Sequence, residues 1–148
     1  MKKDFSTLDK QLCFAVYETA GEFTKLYASV LKPIGLTYPQ YLVLLALWEH
    51  DGITMKELGE QVGLGTETLT PMISRMQEKG WLRKERSVKD ERKVYVALEK
   101  KAYNEKNTII ERINEEIQLC NIGLTEYEEL MVRLNELHGK LKERTKLQ

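Results

Sequence analysis

Cysteine, histidine and proline are all scarce in this chain, at two, two and three among 148 residues. Cys13 and Cys120 form no CxxC pair, and His50 and His138 stand apart from them and from each other. That excludes the usual structural zinc spacings, so no metal is expected. Glycine-rich phosphate loops and clustered acid–base residues are missing too; neither a cofactor nor a catalytic residue is expected, and the chain reads as a non-enzyme. No apolar run approaches the roughly 20 residues of a membrane span, and Met1-Lys2-Lys3-Asp4 leads into no signal-peptide core. A cytoplasmic protein without a membrane partner is therefore expected. In that reducing compartment both thiols rest reduced, and a disulfide would be transient and hence a signal.

An excess of either charge is also absent, because 23 basic residues balance 23 acidic ones. The balance is uneven along the chain. Between Arg75 and Lys101, ten basic residues stand against five acidic ones. A basic stripe on a neutral body is a footprint for phosphates. What the chain has in quantity is charge, at 31% of residues, which with so little proline favours a soluble, helix-rich protein. One domain over residues 1–148 is expected, long enough for a real core.

Leu8, Leu12, Ala15, Val16, Phe23, Leu26, Tyr27, Val30 and Leu31 recur at helical spacing and predict a helix over residues 8–31, ended by Pro33 and Gly35. Thr37-Tyr38-Pro39-Gln40 has the pattern of a capping box, and the helix it opens is apolar on most sides, as a central core helix is. Thr54-Met55-Lys56-Glu57 predicts a second capping box and a short helix. After the Gly63-Leu64-Gly65 turn, Thr66 or Thr68 is the expected cap of the next helix. Pro71 delays its first regular turn, and Lys79-Gly80 ends it. Two short helices joined by a glycine-containing turn make a helix-turn-helix. Residues 81–86 and 94–98 alternate apolar and polar around a charged tip and predict a hairpin, the wing. The expected fold class is mainly α with a small β-hairpin, a winged helix-turn-helix over residues 37–98.

Ile109, Ile110, Ile113, Ile117 and Cys120 line one stripe of a further helix, which Gly123 breaks. Thr125-Glu126-Tyr127-Glu128 is the expected cap of a last helix carrying Tyr127, Leu130, Met131, Leu134, Leu137 and Leu141 at three–four spacing. A winged helix does not need all this apolar surface. Residues 8–31 and 101–146 are therefore expected to form a two-fold homodimer, with an intramolecular helical hairpin as the alternative.

In a helix-turn-helix the second helix enters the major groove, so double-stranded DNA is the expected partner, as a pseudo-palindromic operator. The candidate contacts are Thr66, Thr68 and Thr70 at the helix start and Ser74, Arg75 and Lys79 further along. Arg86, Lys89, Arg92 and Lys93 on the wing suit the minor groove or flanking phosphates. Leu69, Met72, Ile73 and Met76 read as core, and Asp90 and Glu91 as acids that pair with neighbouring arginines.

The order of elements, the Asp90-Glu91-Arg92 wing and Leu69-Thr70-Pro71-Met72 resemble the MarR family of dimeric winged-helix regulators. Gln11-Leu12-Cys13-Phe14, Thr37-Tyr38-Pro39-Gln40-Tyr41 and Leu47-Trp48-Glu49-His50 are similar to its organic-hydroperoxide repressors, the OhrR type. Gly65-Thr66-Glu67 and Glu99-Lys100-Lys101 depart from that pattern.

On position alone, Cys13 reads as a small buried hydrophobe, as most free cysteines do. The resemblance implies instead a reactive thiol held by the hydroxyls of Tyr17, Tyr27 and Tyr38, the latter two from the partner subunit. A hydroxyl donated to sulfur favours thiolate over thiol. The resemblance further implies an organic hydroperoxide as the signal, and a repressor that releases DNA once Cys13 is oxidised. Two routes stay open: a Cys13–Cys120 bridge between subunits, or capping of Cys13 by a cellular thiol. A regulator of the same fold released by a small aromatic ligand, with Cys13 inert, is the competing function.

Overall fold

The computed structural model describes residues 5–147. The Met1-Lys2-Lys3-Asp4 segment considered above for a signal sequence lies outside them. The chain divides into two compact units, Met1–Ile113 and Asn114–Gln148.

In the first unit a short 3-10 turn, Leu8–Lys10, precedes α1, Leu12–Leu31. The chain reverses at Gly35, whose φ of 76° suits glycine, and enters α2, Tyr38–Glu49. The capping box expected there forms in full: the Gln40 N–H donates to Thr37 Oγ1 and the Thr37 N–H to Gln40 Oε1. Such a cap stabilises a helix by about 1 kcal/mol. Val43, Leu44 and Leu47 of α2 have no solvent exposure, as its all-round apolar sequence requires.

Next come β1 (Ile53–Thr54), α3 (Met55–Val62) and α4 (Thr66–Glu78), followed by β2 (Leu82–Arg86) and β3 (Val94–Leu98). The strands form an antiparallel sheet in the order β1-β3-β2, with Ile53 opposite Val96 and Leu82 opposite Leu98. The hairpin reading thus gains a third strand, too short for a periodic signal. Thr54 is its last residue and pairs with Tyr95, and the expected second capping box forms only in its forward half, Glu57 N–H to Thr54 Oγ1.

α4 departs from expectation at its start. Its N-cap is Gly65, no threonine side chain caps it, and Pro71 lies inside the helix. Proline removes one backbone donor there, but Leu69, Ile73 and Met76 on the same helix are fully buried. Each such burial contributes about 1.5–3 kcal/mol, which outweighs the lost bond. The far end is as expected: Gly80 has φ 83° and the Trp81 N–H donates to Met76 O, closing the helix.

α5, Lys100–Leu119, begins in the first unit, where Ile109 and Ile113 are buried, and ends in the second. Cys120 follows its last residue and is exposed, so it does not continue the buried stripe. α6, Leu124–Lys146, is capped by Gly123 rather than by Thr125, which falls within the helix. No residue of α6 is buried, and Tyr127, Leu130, Met131, Leu134 and Leu141 are all exposed. Among the described residues no single helix is long and apolar enough to cross a membrane.

Candidate nucleic-acid interface and thiol site

The α3–α4 turn depends on close backbone approach. Gly63 has φ 71°, and a Cβ on Gly59 would lie 2.8 Å from the Leu64 carbonyl oxygen, which accepts no such contact. This tight turn presents the start of α4 to solvent: Thr66, Glu67, Thr68 and Thr70 are exposed while Leu69 is buried.

A cleft of about 910 Å³ opens between α3, α4 and the wing. Of the sequence-predicted contacts it gathers Thr66, Thr70, Arg86, Arg92 and Lys93. It also contains Lys56, Gln77 and Lys84, which sequence reading missed, and Glu57 and Glu60. Basic residues outnumber acidic ones there. Lys56 stands in the first turn of α3 and Lys84 in a strand; only folding brings them beside α4.

The remaining predicted contacts have separate placements. Thr68, Arg75 and Lys89 are exposed outside the cleft. Ser74 Oγ accepts a hydrogen bond from Lys84 Nζ at 2.9 Å. Lys79 Nζ donates to the Gly35 carbonyl at 2.9 Å, joining the end of α4 to the turn after α1.

The wing tip is internally braced. The Arg92 N–H and Nε both donate to Asp90 Oδ1, at 3.1 and 3.2 Å, while the Arg92 side chain remains 92% exposed. The expected pairing of Glu91 takes another form, because Arg86 donates to its carbonyl oxygen rather than to its carboxylate, at 2.7 Å. Val88, at the same tip, is fully exposed.

Cys13 is exposed in the first turn of α1, with Tyr17 exposed one turn later. Tyr27, further along α1, packs against Tyr38 with ring centroids 4.7 Å apart, and both approach Tyr41 at 5.8 and 6.5 Å. Burial, then the neighbouring Tyr38, holds the Tyr41 hydroxyl above the usual tyrosine range. Cys13 and Tyr27 are separated by about 21 Å of helical rise. Within one chain, then, Tyr17 neighbours the thiol and Tyr27 and Tyr38 do not. In the second unit, Cys120 Sγ lies 3.6 Å from the Glu116 carbonyl oxygen. Among the described residues no three His, Cys, Asp or Glu side chains converge as a metal site needs.

A family model described as "Transcriptional regulator SarA/Rot" matches residues 25–110. The chain is similar to the organic hydroperoxide resistance transcriptional regulator of Bacillus subtilis, 47% identical over 97 residues, 66% of each chain. It is equally identical over 97 residues to the regulator TtmR of Methylorubrum extorquens, of which the match spans half the length. Its structure resembles AbfR of Staphylococcus epidermidis, 34% identical. The reduced, DNA-bound form aligns with a TM-score of 0.85 over 97% of this chain and 98% of that one; the disulfide-formed structure aligns at 0.69, over 94% and 92%. AbfR has also been solved overoxidized and bound to DNA.

Proposed function

This chain belongs to the SarA/Rot family of transcriptional regulators, of the MarR-type winged-helix kind, and we propose that oxidation of Cys13 sets its occupancy of DNA. The observation that carries the reading is the split of the tyrosines. Cys13 is exposed beside Tyr17, while Tyr27 and Tyr38 form a cluster about 21 Å away along the helix. A second copy whose α1 runs antiparallel to the first brings its Tyr27–Tyr38 pair to this thiol. The exposed apolar residues Leu8, Leu12 and Val16 of this segment, and those of α6, support a homodimer.

The chemistry follows from the thiolate. Sulfur attacks the terminal oxygen of an organic hydroperoxide, the O–O bond breaks, and the alkoxide takes a proton and leaves as the alcohol. Sulfur has lost two electrons and carries hydroxyl as a sulfenic acid. The thiolate of Cys120 from a second copy attacks that sulfur, a disulfide forms, and hydroxide leaves as water once protonated. AbfR, solved with DNA when reduced and when overoxidized and separately with its disulfide formed, supports the bridge over simple oxidation as the releasing step. Half-sites lie about 34 Å apart, so a shift of a few ångströms between two reading heads breaks register with the grooves. Release from the operator corresponds to a repressor.

The test is binding to a duplex that wild type selects from a random pool, with and without cumene hydroperoxide, for wild type, Cys13→Ser and Cys120→Ser. The reading requires wild type to release DNA, dithiothreitol to restore binding, and Cys13→Ser to stay bound. Release of Cys13→Ser as readily as wild type would sink it. Cys120→Ser then separates bridge from cap: retention of DNA after oxidation supports the bridge.

A further inference from the structure

Lys84 bridges the recognition helix and the wing of this protein. Lys84 is the third residue of β2, opposite Val96. Its backbone N–H donates to Gln77 Oε1 at 3.0 Å and its ammonium to Ser74 Oγ at 2.9 Å. Ser74 and Gln77 are three apart on α4 and share a face. Both ends of the lysine are thus fastened to one side of the helix.

Side chains alternate across a strand, so Lys84 and Arg86 face one way and Arg83 and Glu85 the other. Arg83 accordingly bonds Glu85 and the Leu98 carbonyl on its own side, whereas Lys84 and Arg86 both line the cleft. Arg86 in turn donates to the Glu91 carbonyl at the wing tip. Lys84 thus ties α4 to β2, and Arg86, two residues on along the same face of the strand, ties β2 to the tip that carries Arg92.

We infer that Lys84 is a positioning residue for DNA recognition: its bond to Ser74 fixes the wing relative to the recognition helix, and Ser74 serves as the acceptor of that latch rather than as a reader of bases. The inference rests on the DNA-binding reading above. A helix in the major groove and a wing in an adjoining minor groove must be engaged together, and the latch holds their spacing before DNA arrives, which lowers the ordering that binding requires.

The experiment is a double-mutant cycle on the selected duplex, with Ser74→Ala, Lys84→Met and the pair, alongside Ser74→Thr, which keeps the hydroxyl. Urea midpoints are measured first to select variants that fold as wild type does. Ser74→Ala changes no charge, so it isolates the latch. The latch predicts that each single substitution weakens binding by about tenfold and that the pair weakens it by about tenfold as well. Hydroxyl-radical protection under the wing fades in both singles while protection along the α4 groove persists, and Ser74→Thr binds like wild type. Additive losses, or wild-type binding by Ser74→Ala, would overturn the inference. A wild-type protein that selects no duplex at all would instead overturn the DNA-binding reading, so the two failures are distinct.

Discussion

The hydroxyl of Tyr103 donates to Oδ2 of Asp51 across 52 positions of sequence. The other carboxylate oxygen accepts the N–H groups of Gly52 and Leu98, each at 2.8 Å. One side chain therefore joins the turn after α2, the end of β3 and the first turn of α5. Asp51→Ala strands those donors and should destabilise the protein by about 1–3 kcal/mol, read as a lower urea midpoint. Asp51→Asn, which keeps one acceptor oxygen, should lose less. Equal midpoints for wild type and Asp51→Ala would contradict the joint.

Tyr103 also makes the joint sensitive to alkali. The bond to Asp51, then burial and the carboxylate's charge, hold its hydroxyl above the ordinary value of 10.0. The folded state keeps this proton more tightly than the unfolded chain, so the contribution is fully present below about pH 10 and is lost as pH rises through the folded value. The stability advantage of wild type over Tyr103→Phe should shrink above about pH 10. An advantage that stays constant across that range would count against the account.

Gly59→Ala places a methyl group 2.8 Å from a backbone oxygen that cannot swing away. The turn between α3 and α4 must open, and overpacking of this kind costs about 1–3 kcal/mol. DNA affinity should fall further than the stability loss explains, because the start of α4 moves. Calorimetry and a binding titration on the same sample check both.

Arg92→Ala should separate stability from binding. Its side chain is 92% exposed in the ion pair with the partly exposed Asp90, so stability should change by less than about 1 kcal/mol. If the tip meets a phosphate or the minor groove, affinity falls and the salt dependence of binding weakens by about one unit of slope. An unchanged slope would place Arg92 away from DNA.

Mixed dimers test whether the thiol site is shared between subunits. In a dimer of one Cys13→Ser chain and one Tyr27→Phe chain, an in-trans arrangement leaves one complete site, and an in-cis arrangement leaves none. Hydroperoxide should oxidise half of the sites in the mixed dimer at the wild-type rate. Oxidation of that Cys13 at the slower rate of a pure Tyr27→Phe dimer would refute sharing between subunits.

Local signals were the legible ones. The Thr37 capping box, the Gly80 helix stop and the buried Leu69, Ile73 and Met76 follow from spacing and a few named residue types. The two-residue β1 was invisible because so short a strand has no period, and its existence depends on β3, some 40 residues on. Pro71 misled because its local penalty is smaller than the burial of its neighbours. At the candidate interface the exposed threonines of α4 were readable from the helix-turn-helix pattern. Lys56, Gln77 and Lys84 were not, since they meet only across the cleft. Lys79 shows the converse: a cation in a basic stripe whose ammonium is engaged by a distant carbonyl, Gly35 O.

The two tryptophans occupy unlike surroundings. Trp81 is wholly buried beneath the Lys101 ammonium, 4.3 Å from the ring centroid, and its indole N–H meets no acceptor among the described residues. Trp48 is half-buried, edge-on to Tyr41 at the end of the tyrosine cluster, and donates to the Ala102 carbonyl. The chain therefore carries two native indole fluorophores, one at the root of the wing and one beside the tyrosine cluster. Their emission can be followed separately in single-tryptophan variants, so any response of either region to oxidant, and its order, is recordable in real time without an attached dye.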